Sequence, residues 1–166
     1  MVKNPVAIAA VVLGILVVIW LVYPKNEEYR IRQRLHELAD VVSSTQQQRD
    51  AARLIHIAGL KQFFTKDVTV QLNGNIPRVK DRNTLLQIAH VALQQEPGLT
   101  VAFTDIAVTH DDGTQQARVN TTVVVTGVHS PKAKSIDAQE LEIALVKPDG
   151  EWLIKAVRPV EVMKLD

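Results

Sequence analysis

The first change of pattern lies at the start of the chain, where residues 6–23 are uncharged and apolar almost without a break, interrupted only by Gly14. At 1.5 Å per helical residue this stretch spans about 27 Å, close to the hydrocarbon thickness of a bilayer, and it predicts one transmembrane helix beginning at Val6. Pro5 suits the first turn, where a missing N–H leaves nothing unpaired, and Trp20 and Tyr23 gather at the far end as interfacial aromatics before Pro24. A cleaved signal peptide is the alternative. It needs a shorter apolar run and small residues at the cleavage site, and the exit Trp20-Leu21-Val22-Tyr23-Pro24 supplies none.

From Asn26 the period turns helical, with Ile31, Leu35, Leu38 and Val42 on one face, Asn26 as a cap, and Glu27 and Glu28 at the positive end of the helix dipole. The polar run 43–48 breaks this helix before a second one carrying Ala51, Leu54, Ile55, Ala58, Leu60 and Phe64. Residues 67–72 alternate as a short strand and meet the turn Asn73-Gly74-Asn75. A third helix follows Asp81, its cap, presents Leu85, Ile88, Ala89, Ala92 and Leu93 on one side, and stops at Pro97-Gly98.

The remainder alternates with period two. Leu99, Val101 and Phe103 lead through a bulge to Ile106 and Val108, and a hairpin turn at Asp111-Asp112-Gly113 returns the chain along Ala117, Val119, Thr121, Val123 and Val125. Residues 127–135 read as a loop, and the turn Lys147-Pro148-Asp149-Gly150 joins a last strand pair. The predicted organisation is an anchor at 1–25, an α+β domain at 26–162 and a tail at 163–166. Its domain is a curved antiparallel sheet wrapped on about three helices.

Composition narrows the function classes. Hydrophobic residues make up 46% and charged residues 22%, enough for one packed core and too balanced for disorder. Nineteen Lys and Arg against eighteen Asp and Glu leave a formal charge of +1, which gives no broad field for nucleic acid. With no cysteine there is no disulfide framework, thiolate zinc site, iron–sulfur cluster or cysteine nucleophile. The five histidines show no metal-ligand spacing, and no Gly-rich loop opens a helix, so neither a metal nor another cofactor is expected.

Several local phrases resemble the nuclear-transport-factor-two-like superfamily, which includes SnoaL-like proteins and ketosteroid isomerase. They are the run from Arg53-Leu54 to Phe63-Phe64 passing into Thr65-Lys66-Asp67-Val68, the helix starting at Asp81, the strand Phe103-Thr104-Asp105-Ile106, and the ending Asp149-Gly150-Glu151-Trp152-Leu153-Ile154. The resemblance spans residues 26–162 and implies a cone with a cavity between sheet and helices. Some members use that cavity for acid–base chemistry and others use the fold only to associate.

For cavity chemistry the candidate catalytic residues are His56, His90 and Asp105, while the one tyrosine beyond the anchor, Tyr29, lies close to the membrane. Arg30, Arg32 and Arg34 follow the bilayer and are candidates for lipid head-group contact, with a plain solvated helix face as the alternative. The resemblance implies an open sheet face that mediates dimers, here Val119, Thr121, Val123 and Val125 or the alternating Asn120, Thr122 and Val124. Ala10 and Gly14 form a small-xxx-small pattern for lateral helix packing.

The expectation is a non-catalytic, single-pass accessory subunit that docks on a larger membrane complex or on itself. The alternative is a small-molecule or lipid-binding protein, or an acid–base enzyme, using the cone cavity. A short anchor plus a small domain resembles proteins of a bacterial cytoplasmic membrane. Loop charge alone favours a cytoplasmic domain. The very short basic tail at Lys3, by analogy with signal anchors, tips the balance to an extracytoplasmic one.

Overall fold

The computed structural model describes residues 27–44, 57–72, 78–95, 98–111, 113–130 and 133–160. The expected anchor, with Val6, Gly14, Trp20 and Tyr23, lies outside the described residues, as does His56. Among the described residues no helix is long and apolar enough to cross a membrane.

Helix α1 (Glu27–Ser44) follows its predicted period, and Ile31, Leu35 and Leu38 are buried against the sheet while the opposite face stays polar. Each such aliphatic side chain contributes about 1.5–3 kcal/mol when removed from water. Helical residues 57–59 run into a 3₁₀ turn, Leu60–Phe63, which buries Leu60 and Phe63 and passes directly into β1 (Phe64–Val70). The strand therefore begins three residues before its predicted start.

Helix α2 (Arg82–Gln95) is capped as predicted: Asp81 Oδ1 accepts from the Thr84 N–H at 2.9 Å and Oδ2 from its hydroxyl at 2.7 Å. Those bonds hold the Asp81 carboxyl below the usual carboxylate range. Its core side differs from the predicted one. Leu93 is buried and Leu85, Leu86 and Ala89 pack on the core, whereas Ile88 is 46% exposed and Ala92 is exposed.

Strands β2 (Thr100–His110), β3 (Gln116–Ser130), β4 (Ala133–Val146) and β5 (Leu153–Pro159) form consecutive antiparallel pairs. β1 joins the far edge parallel to β5, giving the order β1-β5-β4-β3-β2. The loop expected at 127–135 is largely strand. Pairing continues through Val128 with Lys134 to Ser130 with Ala133, so only residues 131–132 separate β3 from β4.

Two bulges set which side chains face the core. In β2 the register shifts between Thr104 and Ala107, where Asp105 takes φ 51°. In β5 the shift leaves Lys155 as the extra residue, since Leu145 pairs with Ile154 but Ala144 with Ala156. Plain alternation after Trp152 and Ile154 would point Ala156 and Arg158 into the core; the bulge turns both outward.

The core lies between α1, the 3₁₀ turn and the inner face of the sheet, where Ala117 and Val119 of β3 meet Ile143 and Leu145 of β4 and Ile154 of β5. Val119 is 0% and Thr121 4% exposed. These two residues, expected in an exposed interface, are instead interior. The outer row of β3 is the alternate set Arg118, Asn120, Thr122 and Val124.

Candidate functional site

Burial along the inner face changes from one end of the cone to the other. On β3 the inward row runs from buried Ala117, Val119 and Thr121 to half-buried Val123 and Val125. On β4 it runs from buried Leu145, Ile143 and Leu141 to half-buried Gln139 and exposed Asp137. The narrow end is packed solid. The opposite end, the mouth, is less covered: Val101, Phe103, Val123, Val125 and Gln139 are half-buried and Asp137 is exposed.

Ser43 at the end of α1 pins this mouth to the sheet. Its hydroxyl accepts from the Val101 N–H at 3.1 Å and donates to the Val101 carbonyl at 3.4 Å. The Gln139 Nε2 is buried without a hydrogen-bond partner. A buried amide donor left unpaired is costly, and here it lies beside the apolar side chain of Val123, its partner across β3 and β4.

The acid–base candidates are not gathered there. His90 is half-buried on α2 and its Nε2 shares a 3.1 Å hydrogen bond with Gln94 Nε2, one turn along its own helix. Asp105 is the exposed bulge residue of β2, and among the described residues no hydrogen bond joins it to His90. Opposite the bulge, Thr121 Oγ1 donates to the Thr104 carbonyl at 2.7 Å, which satisfies the one polar side chain buried in the β3 row. Tyr29 is 64% exposed on the first turn of α1.

Against sequence families, the profile of the SnoaL-like domain matches residues 32–158, which takes in both the packed cone and its mouth. The chain belongs to the SnoaL-like family. A candidate scytalone dehydratase from Novosphingobium aromaticivorans is similar in structure, with TM-score 0.65 and 16% identity over 81% of this chain and 85% of its own. A nuclear-transport-factor-two-like protein with a cystatin-like fold from the same species gives 0.63 and 13%, over 94% and 89%. A protein of unknown function from Mycobacterium tuberculosis gives 0.65 and 19%, over 82% and 78%. At such identities these likenesses establish the fold and leave the reaction open. No curated protein matches the chain.

In this SnoaL-like domain the three arginines of α1 are engaged by the domain itself. Arg30 bonds Glu27 at 3.5 Å and the Gly150 carbonyl at 3.3 Å, and Arg32 places Nε and Nη2 on Glu28 Oε1 at 3.1 and 2.7 Å. Arg34 donates to the Gln62 carbonyl at 2.7 Å and lies 4.3 Å from the Phe63 ring centroid. The geometry makes Arg34 a fastener of the 3₁₀ turn.

A cluster that the sequence reading did not single out lies beside them. Glu27 accepts from Lys147 Nζ at 2.8 and 2.9 Å and from the indole N–H of buried Trp152 at 2.8 Å. Burial raises the Glu27 carboxyl, but the bonds from Lys147 and Trp152 and the nearby charges outweigh it and hold the group below the usual carboxylate range. His110 meets Trp152 edge to face with centroids 5.5 Å apart. No local motif announces this cluster, because its members come from α1, the β2 end and the β4–β5 turn. Gln139 was more legible: polar residues at 137 and 139 interrupt the inward row that continues as Leu141, Ile143 and Leu145.

Proposed function

We propose that the chain is a membrane-tethered, non-catalytic SnoaL-like domain that docks on another subunit of a membrane complex or on a second copy of itself. The observation that carries this reading is the Glu27 clamp. Only residues 24–26 separate the apolar run from Glu27, the first residue of α1, and Glu27 is bonded to Lys147 and Trp152 across the domain. A helix that starts so close to an anchor and is fastened at its first residue gives the domain a fixed orientation to the bilayer. That suits association with a membrane neighbour. A bacterial cytoplasmic membrane with the domain on its outer side is part of the same proposal.

Gentle detergent extraction of the native membrane, followed by mass spectrometry of stoichiometric partners, tests it. A defined complex or a stable dimer supports docking. A chain that leaves the membrane in carbonate, or stays monomeric in mild detergent, ends the reading.

The orphan amide of Gln139 favours a second reading, a ligand held at the cone mouth with a hydrogen-bond acceptor against Nε2 and apolar surface against Phe103, Val123 and Val125. Native mass spectrometry would then find a small molecule or lipid bound to the chain, and Gln139→Leu would release it. A Gln139→Leu protein that keeps the same bound mass rules this reading out.

A further inference from the structure

The outer face of the sheet carries a trough that the cone does not use. Its floor is Ala144 and Ala156, directly paired across β4 and β5, with Thr69 of β1 beside Ala156. These small side chains leave a hollow of about 700 Å³ bounded by Arg78, Arg118, Glu142 and Arg158. A second hollow of about 430 Å³ shares Arg118, Glu142 and Ala144 with the first and continues to Asp111 and Lys155. Four cationic side chains therefore border the trough against two carboxylates.

Glu142 organises the cations. Its Oε1 accepts from Arg158 Nε at 3.0 Å, is in ion-pair contact with Arg158 Nη2 at 2.7 Å, and lies 3.5 Å from Arg118 Nε. One carboxylate oxygen thus meets both guanidiniums, and two cations share a single anionic partner. Arg78 has no ion-pair partner among the described residues. The β5 bulge at Lys155 is what puts Ala156 and Arg158 on this face.

We propose that this trough binds an extended acidic segment of a partner polypeptide, its carboxylates pairing with Arg78, Arg118 and Arg158. Carboxylates match the guanidinium fork. The cations are spread along two joined hollows, so the complementary charge is distributed along a chain and not concentrated in one phosphate. The alanine floor lets a backbone lie close to the sheet. Glu142 at the centre opposes a nucleic-acid strand, which carries a charge at every step, whereas a peptide N–H can donate to it. The inference rests on the docking reading for the kind of occupant. Its test needs no native complex, so the two fail separately.

The probe is fluorescein-labelled hexaglutamate, titrated against the full chain in detergent micelles and followed by anisotropy at low salt. Saturable binding that weakens as salt rises is expected. Arg118→Gln and Arg158→Gln should each weaken it about threefold, and the triple change with Arg78→Gln should abolish it. Lys61→Gln, an exposed lysine on the 3₁₀ turn, should leave it unchanged. The proposal is overturned by the absence of saturable binding, by an equal loss in Lys61→Gln, or by tighter binding of a single-stranded RNA of the same charge. It is also overturned if Ala156→Cys, in a chain with no other cysteine, forms a disulfide-linked dimer in proportion to the chain, since a second copy would then cover the trough.

Discussion

Glu27 stands in three relations at once: it is an acidic first-turn residue of α1, an acceptor for the buried Trp152 indole, and the ion-pair partner of Lys147. Because its pKa is depressed in the folded state, the stability it contributes is fully present above the ordinary glutamate value, about 4.3, and is lost as pH falls below that through the folded value. Glu27→Gln keeps an acceptor but removes the charge. Urea unfolding at neutral pH should show a loss of about 1–2 kcal/mol, and the difference from the parent should shrink as the solution is acidified. An undiminished difference in acid would mean that the side chain acts through packing alone. Trp152→Phe should lose part of the same coupling, because the ring is kept while the bond to Glu27 disappears; a double-mutant cycle with Glu27→Gln measures it.

At the scale of the element, the bulge in β2 decides what Asp105 is for. With φ 51° it occupies the left-handed region, which aspartate tolerates and a β-branched residue does not. Asp105→Gly should therefore fold at least as well as the parent, while Asp105→Val should be destabilised by about 1–2 kcal/mol, both read from thermal unfolding. The same two variants separate a backbone role from an acid–base role, because any activity that depends on the carboxylate disappears equally in both. The bulge itself was legible, since Phe103 and Ile106 are three apart where alternation demands two. Its counterpart in β5 was not: Trp152, Ile154 and Ala156 alternate without a fault, and only the pairing with Leu145 and Ala144 shows Lys155 as the extra residue. Helical periods fixed the core side of α1 correctly but misplaced Ile88 and Ala92 on α2, whose apolar residues occur around much of its circumference. Val119 and Thr121 lay on a row rich in Val and Thr, a composition that serves an inner and an outer face equally well. Partner strands and helices choose between them, and those choices are long-range.

At the scale of the whole molecule, the narrow end of the cone carries α1's first turn, the β4–β5 turn and the turn after β2, joined by Glu27, Arg30 and the Lys147 N–H bond to the Gln115 carbonyl. If residues 6–23 cross the bilayer, this end faces it and the cone mouth points away. The exposed side chains here include Glu28, Asp111, Asp149 and Glu151, so the surface offers anionic lipid little attraction, and Arg30 and Arg32 are already committed to Glu27 and Glu28. Orientation is then set by the short covalent link and the clamp. Inserting a flexible Gly-Ser segment of about ten residues between Lys25 and Asn26 frees the domain without touching Asn26, Glu27 or the core. Unfolding of the domain should be unchanged, and the stoichiometric partner recovered from detergent-solubilised membrane should be lost or reduced by about tenfold, the decrease expected when a tether no longer holds two surfaces at high effective concentration. Full recovery of the partner from the extended protein would show that docking is driven by the domain surface alone and that the fixed link contributes nothing to it.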